Sequence, residues 1–487
     1  MPNSIDRNRI HLISIFVVLC GFILGVRDAL FRELWFDEAL TIGEFMYLPS
    51  ISAIYQNYII PNNHIIYTIC LRLWNGLYIS SFSPDFYWRL FTVLTAALTV
   101  GIMFERWRKR YGMMTLALVL FVFSYSLPFE IYATAIRGYM LSMLWIVLSI
   151  EFARAWVFKA NWRNGTGYFI FSLLAVGTIP SNLLALAGIV IFFFPYFGFK
   201  KVFKWKFIYL ATAPLAATAL FYLPISSRVA EILKLHEGWN NGFAVARVVY
   251  SSFVIAFFPL IVAAVAGTII YFSRVKTRKF LWGLLILLIP LLIVFLRNPA
   301  PFPRVFVTLW PLWILLLCAG LRHFVAICRV RKNHLFITVF LLAVSVGWGV
   351  LCHNYKDNFA RVFHGEQHLD DYFSPYYMAP KHKPFSMIQK IKKLSGDNEI
   401  PVYLSFNAEP CVITLYSRMA GIKSINWIFD RPRTKVSALA PGTWIVIKKF
   451  EFDRGELENI KKRFGIKVKP LFQNGVYLVF EIIESID

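Results

Sequence analysis

The sequence predicts a polytopic α-helical membrane protein with about 11 transmembrane helices, interfacial helices in its first external loop and a small C-terminal α/β extracytoplasmic domain. Hydrophobic residues make up 58% of the 487 residues and charged residues only 16%, whereas a soluble domain usually carries about 25% charged residues. Long apolar stretches recur along the chain, and many approach the roughly 20 residues that cross a bilayer. A polar region follows them, in which strand-like and helix-like patterns alternate.

The apolar stretches give the predicted spans. We place them at residues 11–30, 86–104, 113–128, 139–158, 167–179, 183–198, 207–225, 247–272, 280–296, 305–325 and 335–352. Residues 64–79 are also partly apolar, but Arg72 lies in the middle of that run. A charge at membrane depth is costly, so we predict an amphipathic helix in the membrane interface at 64–79, and a shorter one at 38–48.

The formal net charge of +24 is concentrated in short loops between the apolar stretches, such as "ERWRKRYG" and "FKKVFKWK". Every second loop is basic, which is the pattern of cytoplasmic loops. The N-terminus is therefore predicted to be cytoplasmic, and an odd number of spans places the C-terminal domain outside. Because membrane topology and anionic lipid headgroups account for the charge, nucleic acid is not an expected partner. We expect a multi-pass protein of the cytoplasmic (inner) membrane.

Composition divides the chain into a transmembrane domain at residues 1–352 and an extracytoplasmic α/β domain at residues 353–487. In the second domain, "IPVYLSF", "GTWIVIKKF" and "GVYLVFEII" are predicted strands, because they are apolar and rich in β-branched and aromatic residues. "AEPCVITLYSRMAG", closed by Gly421, and "DRGELENIKKRFG" are predicted helices. No pair of the six cysteines has C-x-x-C spacing, so neither a zinc site nor a disulfide framework is indicated.

Apart from the basic cytoplasmic loops, the few ionisable residues near the apolar stretches fall in external loops or at span ends on the external side of this topology. Charged residues are retained at membrane depth mainly where function needs them. An acid pair with isolated arginines suits an enzyme that acts on a lipid-borne anion, since the arginine fork binds phosphate oxygens. The candidate site residues are Asp37, Glu38, His64, Arg89, Arg137 and Arg304, with Glu130 as a structural partner of Arg137.

Several stretches, taken in order, resemble a known superfamily. They are "LWFDEALT", "NNHIIYTICLRLW", "WRLFTVLTAAL", "YATAIRGYML", "TIPSNLL" and "PRVFVTLWP". The chain resembles the C-type (GT-C) integral-membrane glycosyltransferases, in particular the branch that includes protein O-mannosyltransferases and the lipid A aminoarabinose transferase (glycosyltransferase family 39-like). The resemblance covers the membrane half of the chain. The sequence departs from the O-mannosyltransferase pattern at "NNHII", which lacks the prolines that usually follow the histidine there.

The resemblance implies transfer of a sugar from a polyprenyl-phosphate donor on the non-cytoplasmic face. It also implies that Asp37 acts as general base or metal ligand, with Glu38 beside it. The cofactor is unknown, and a divalent metal ion held by Asp37 and His64 is one alternative. We expect His64, Arg89, Arg137 and Arg304 to bind substrate, and the acceptor to be a cell-envelope glycan, for example lipopolysaccharide, a glycolipid or a protein.

Structural interpretations of the same residues stay open at this stage. Asp37 is also a favourable N-cap for a short helix beginning near Ala39, and Glu38 would complement the dipole of that helix. Arg89 is also consistent with an interfacial side chain whose head reaches water. Alternative functions are a protein O-glycosyltransferase and, from a different class, a lipid or glycan transporter. A transporter would need broken helices or ionisable groups near the midplane, and the later spans show neither.

Overall fold

A computed structural model of the chain describes residues 4–27, 30–60, 63–197, 204–234, 242–275, 284–296, 301, 303–330, 334–354, 383–396, 398–405, 408–430, 435–453 and 455–485. Contacts between residues divide the chain into two compact units. The membrane unit comprises Met1–Leu30 and Pro49–Phe373, and the α/β unit comprises Phe31–Leu48 and Ser374–Asp487. The segment that carries the predicted acid pair therefore groups with the C-terminal region. The division predicted after residue 352 adjoins residues 355–382, which lie outside the described part.

The membrane unit is helical through most of its described length. Its helices are α1 Ser4–Val26, α3 Ile51–Gln56, α4 Ile65–Asn75, α5 Pro84–Tyr111, α6 Met113–Ser124, α7 Leu127–Thr134, α8 Tyr139–Phe158, α9 Trp162–Thr178, α10 Asn182–Phe197, α11 Trp205–Tyr222, α12 Ser226–Lys234, α13 Gly242–Val275, α14 Ile289–Leu296, α15 Trp310–Val330 and α16 His334–Asn354. Turns of 3₁₀-helix at Leu223–Ile225, Leu285–Leu288 and Pro303–Leu309 lead into α12, α14 and α15.

Six helices among the described residues are long and apolar enough to cross a membrane. The α6–α7 pair gives a seventh candidate, bent by 73°. Shorter apolar helices cover Asn182–Phe197, Leu285–Leu296 and Val339–Leu351, and α9 covers the one predicted span that remains. Each predicted span thus overlaps in sequence with a helix of the structure. The predicted class of polytopic helical membrane protein is confirmed.

Glycines allow some of these helices to cross with almost no space between their backbones. A Cβ atom on Gly25 of α1 would lie 1.8 Å from the carbonyl oxygen of Ser124 in α6, and one on Gly21 would lie 2.8 Å from the Cα atom of Phe121. Gly320 of α15 faces α13 in the same way. Close approach of this kind is how helices associate in lipid, where burial of apolar surface gives no driving force.

The predicted amphipathic helix at 64–79 is observed as α4. Its buried face includes Tyr67 and Leu71, both fully buried. Arg72 is the charged residue that made a span unfavourable there. Its Nη2 atom donates to the carbonyl oxygen of Pro49 at 3.1 Å, and this hydrogen bond is exposed. The charge is therefore accommodated at the surface of the unit rather than within its apolar interior.

The α/β unit contains a five-stranded mixed sheet, which confirms the predicted α/β class. Its strands are β1 Ile400–Leu404, β2 Ile425–Ile428, β3 Trp444–Lys448, β4 Ile466–Asn474 and β5 Tyr477–Ser485, in the order β2-β1-β3-β5-β4. β1 pairs in parallel with β2 and β3, and β5 pairs antiparallel with β3 and β4. Its helices are α2 Phe36–Leu40, which continues as a π-helical turn Thr41–Met46, α17 Pro384–Ser395, α18 Pro410–Met419, α19 Lys449–Asp453 and α20 Glu456–Phe464.

The three predicted strands correspond to β1, β3 and β5, whereas β2 and β4 were not predicted. β4 lies at the edge of the sheet and carries exposed Lys467 and Lys469 followed by Pro470, close to irregularities in its pairing. Lysine and proline are common on edge strands, where they discourage pairing with other chains. The same residues weaken the apolar alternation from which a strand is predicted.

The predicted end of helix α18 at Gly421 is also observed. Gly421 has a left-handed φ of 62°. Its N–H donates to the Arg418 carbonyl oxygen, and the Ile422 N–H donates to that of Ser417 at 2.9 Å. This pair of bonds satisfies the last carbonyl groups of the helix.

Candidate functional site

The membrane unit brings two of the predicted site residues, His64 and Arg137, into direct contact. His64 is the N-cap of α4, and its Nδ1 atom lies 2.8 Å from the backbone nitrogen of Gly138, which donates to it. Arg137 Nη2 lies 3.2 Å from His64 Nε2. The exposed fractions are 4% for His64 and 2% for Arg137. An arginine and a histidine from separate loops therefore form one buried polar group.

Gly138 makes this contact sterically feasible. A Cβ atom there would lie 2.8 Å from His64 Nδ1 and 2.8 Å from Thr178 Cγ2. Since φ is −71° and ψ is 4°, the backbone itself does not require glycine. The restriction comes only from the close approach of the imidazole ring. Gly138 was not among the predicted site residues, although it follows Arg137 directly in "IRGYML".

Aromatic rings line the same group. The Tyr139 ring meets the His64 ring edge-on, with 5.3 Å between centroids, and the Arg137 guanidinium carbon lies 5.9 Å from the centroid of Tyr139. Tyr132 packs against Tyr139 at 4.8 Å. A guanidinium close to an aromatic face gains electrostatic stabilisation there. These tyrosines were not among the predicted site residues.

The electrostatics of His64 connect this group to Arg304. Burial lowers the pKa of His64 well below its ordinary value, and the positive charges of Arg137 and Arg304 lower that pKa further. Arg304 lies in the 3₁₀ turn that precedes α15 and is half-buried. Arg137 and Arg304 thus both act electrostatically on His64 and favour the neutral form of its buried ring.

The neutral ring accepts at only one nitrogen. It accepts from Gly138 in the tautomer protonated at Nε2, and from Arg137 in the tautomer protonated at Nδ1. Protonation of both nitrogens would remove both acceptor positions and place a cation beside Arg137. The contacts of His64 therefore depend on the ring remaining neutral.

Arg89 contacts the C-terminal end of α7, and Glu130 lies near the N-terminal end of the same helix. Arg89 Nη1 donates to the carbonyl oxygen of Thr134 at 2.8 Å. Thr134 is the last residue of α7, so Arg89 satisfies a terminal carbonyl group and places a positive charge at the negative end of the helix dipole. Glu130 lies in the first turn of α7 and is fully buried. This contact of Arg89 supports the loop that leads to Arg137.

The acid pair belongs to the α/β unit. Asp37 and Glu38 lie in the first turn of α2, and their exposed fractions are 6% and 0%. The helix begins at Phe36, and Trp35 is its N-cap. The alternative that Asp37 caps a helix beginning near Ala39 is therefore wrong, because the helix starts earlier than its apolar pattern indicates.

Glu38 makes a structural contact at the start of α2. One Glu38 carboxylate oxygen accepts from the backbone N–H of Trp35 at 3.3 Å, as the third residue of a helix often does. The backbone carbonyl of Asp37 accepts from the Thr41 hydroxyl at 2.8 Å. Glu38 thus helps to fix the start of α2, while the carboxylate of Asp37 is carried on that helix.

A metal site requires a cluster of ligands. Within the part of the chain that the structure describes, no group of three or more His, Cys, Asp or Glu side chains is arranged to hold a metal ion. Two protein ligands would leave most of a metal's coordination sphere to other groups. The described residues therefore supply no complete set of protein ligands for a metal ion.

The fold, with its apolar helices and five-stranded C-terminal unit, is similar to that of a solved structure. The comparison that shows this is with the crystal structure of ArnT from Cupriavidus metallidurans bound to undecaprenyl phosphate. It aligns with a TM-score of 0.53 over 96% of this chain and 97% of that chain, at 13% sequence identity. No protein-family model and no curated protein matches the sequence. The fold that the resemblance implied is thus confirmed.

Proposed function

We propose that the protein transfers a sugar from a polyprenyl-phosphate-linked donor to an acceptor hydroxyl on the non-cytoplasmic face of the membrane. The acceptor is a glycan or glycolipid of the cell envelope, such as lipopolysaccharide. The observation that carries the proposal is the group formed by His64 and Arg137, with Arg304 close enough to act on the same histidine. Its support is the fold shared with ArnT, which was crystallised with undecaprenyl phosphate bound.

The arginines suit the phosphate of such a donor. When the bond between sugar and phosphate breaks, negative charge grows on the phosphate oxygens, and preorganised cations stabilise that charge most effectively where water is excluded. Arg137 presents a planar donor set, and its guanidinium lies against His64 and Tyr139. We assign Arg137 and Arg304 to the phosphate, His64 to orienting Arg137, and Arg89 to supporting α7.

Asp37 is the proposed general base. The acceptor hydroxyl attacks the anomeric carbon and gives its proton to the Asp37 carboxylate. The bond from that carbon to the phosphate oxygen breaks, and the polyprenyl phosphate leaves with the electron pair. A positioned base typically contributes about 10²–10⁴-fold to the rate of such a step. Glu38 supports the base by fixing the first turn of α2.

The test is transfer from a panel of radiolabelled polyprenyl-phosphate sugars by the purified full-length protein. Asp37→Asn keeps the size of the side chain and removes its basicity, so we expect turnover to fall by about 10²–10⁴-fold with donor binding retained. The matched control is Glu44→Gln, because Glu44 is an exposed acid in the helical turn that follows α2. This control should transfer at the wild-type rate.

A second arm tests the arginines. Arg137→Gln should weaken binding of the polyprenyl-phosphate donor, since a guanidinium contact with phosphate is replaced by a neutral amide. Equal rates for Asp37→Asn and wild type would remove Asp37 from the mechanism. If the wild-type protein transferred none of the sugars, the enzymatic proposal itself would fail.

A further inference from the structure

Two hydrogen bonds anchor the backbone immediately before Asp37 to the C-terminal part of the α/β unit. The Leu34 N–H donates to the Tyr416 hydroxyl oxygen at 2.7 Å. The Phe385 N–H donates to a Glu33 carboxylate oxygen at 2.6 Å. Leu34 is fully buried and Tyr416 is 3% exposed. The chain that enters α2 is therefore fixed by α18, which carries Tyr416, and by α17, which begins beside Phe385.

These contacts have a clear chemical basis. Phe385 lies in the first turn of α17, whose free N–H groups and positive dipole end favour a carboxylate such as Glu33. The Tyr416 ring packs on the Phe385 ring at 5.2 Å between centroids. The Cys411 thiol, at the start of α18, approaches the carbonyl oxygen of Phe36 at 3.9 Å. Both helices thus contact the segment just before or at the start of α2.

The start of α18 is itself fixed by the sheet. Glu409, the N-cap of α18, is the one non-glycine residue with positive φ in the described part of the chain, at 59°. Its carboxylate accepts from Lys448 Nζ at 2.5 Å, and Lys448 is 3% exposed at the end of β3. Glu451 accepts from the Lys448 N–H at 2.8 Å and from the Ser405 hydroxyl at 2.7 Å. A left-handed conformation is costly for a residue with a side chain, and this buried network holds it in place.

This network lies where the carboxyl ends of parallel β1 and β3 meet. The chain leaves β1 through α18 to β2 on one side, and β3 lies on the other side of β1. In open α/β sheets such a point is where ligands usually bind. Here α18, which starts at that point, contacts the segment that carries Asp37.

We propose that the α/β unit positions the general base, with Tyr416 and Glu409 as positioning residues that act through the segment Phe31–Leu48. The proposal rests on the function assigned above to Asp37. It gives the C-terminal region a role in turnover. A base that is misplaced by a fraction of an ångström loses much of its effect on the rate.

The experiment compares two variants that each remove one buried tyrosine hydroxyl from the same unit. Tyr416→Phe removes the partner of the Leu34 N–H. Tyr403→Phe is the matched control, because Tyr403 is 4% exposed in β1 and its hydroxyl interacts with Asp430 and Arg463, away from the acid-bearing segment. The first readout is amide hydrogen exchange of peptides covering residues 31–48 in the full-length protein. We expect roughly fivefold faster exchange there in Tyr416→Phe, the factor given by one lost hydrogen bond, and wild-type exchange in Tyr403→Phe.

The second readout is kinetic. Tyr416→Phe should lower kcat by about tenfold with the donor KM unchanged, because the base and not the donor site is disturbed. In the Asp37→Asn background, Tyr416→Phe should have no further effect, since a residue that acts through the base has nothing left to position. Tyr403→Phe should retain the wild-type kcat.

Wild-type exchange and wild-type kcat in Tyr416→Phe would overturn the proposal. An equal loss of kcat in the presence and absence of the Asp37 carboxylate would also overturn it, because Tyr416 would then act by another route. Failure of the proposed function gives a different result: the single variant Asp37→Asn would transfer sugar at the wild-type rate. In that case the exchange measurement still decides whether Tyr416 fixes the segment.

Discussion

Gly138→Ala is the most direct test of the group formed by His64 and Arg137. The added Cβ atom would lie 2.8 Å from His64 Nδ1 and 2.8 Å from Thr178 Cγ2. Non-bonded carbon atoms prefer about 3.5–4.0 Å, so the imidazole ring has to move by roughly 0.7 Å. Overpacking of this kind costs about 1–3 kcal/mol. Loss of backbone freedom in the unfolded chain recovers about 0.4–1 kcal/mol of that amount.

The effect on activity should exceed the effect on stability. A movement of this size breaks the 2.8 Å bond from the Gly138 N–H to His64 and displaces the guanidinium that His64 contacts. Since a misplacement of about 1 Å can cost about 10²-fold in rate, we expect kcat/KM to fall by about 10- to 100-fold. The assay is transfer from a polyprenyl-phosphate sugar, with thermal unfolding of the same detergent-solubilised samples measured in parallel.

Gly101→Ala is the control, because a Cβ atom on Gly101 of α5 would meet no atom within 4 Å. It should be neutral or slightly stabilising and fully active. Adding Thr178→Ser to Gly138→Ala removes one of the two clashing groups and should recover part of the stability, but less of the activity. Wild-type transfer by Gly138→Ala would refute the reasoning, since the histidine and arginine would then have only a structural role.

The remaining predictions concern pH and side-chain acceptors. Because the pKa of His64 is lowered in the folded state, the unfolded state binds more protons below about pH 6.5. The stability of wild type should therefore fall as the pH decreases below that value, whereas His64→Gln should lack this component in thermal unfolding across about pH 5–8. His64→Asn, whose amide oxygen replaces Nδ1, should keep the bond from Gly138 and be more stable than His64→Gln. In the α/β unit, the hydrogen bonds from Arg463 lower the pKa of Asp430 to about 2. That contribution is present above about pH 4 and lost as the pH falls towards 2, and Asp430→Asn should abolish this acid dependence in a circular dichroism titration.

The helices of the membrane unit were predictable because lipid imposes a simple rule. A span must satisfy its own backbone hydrogen bonds and is therefore helical. The length of the apolar stretch was thus enough to predict α5, α8 and α13. The strands β1, β3 and β5 were predictable for a similar reason, since they are almost continuously apolar. β4 was not predicted because it is an edge strand, and its lysines and Pro470 interrupt the apolar alternation that indicates a strand. The orientation that the basic loops indicate stays a prediction.

The contact between His64 and Arg137 was predictable only in its residue types. Charged side chains at span ends pointed to Arg137 and His64, but no periodicity connects a loop before α4 with a loop before α8. The close approach at Gly138 depends on that tertiary contact and so could not be derived locally. The same applies to the segment Phe31–Leu48, which groups with residues more than three hundred positions further along the chain.

The glycine-lined crossing of α1 and α6 has a consequence for biogenesis. α1 is synthesised before α6, because the helix against which Gly21 and Gly25 pack begins only at Met113. Until that helix has entered the bilayer, the groove on α1 is filled by acyl chains, which must be expelled when the pair assembles. A bulky residue at Gly25 would leave insertion of α1 unaffected and halt the later pairing, so such a variant should accumulate as an inserted, protease-sensitive intermediate.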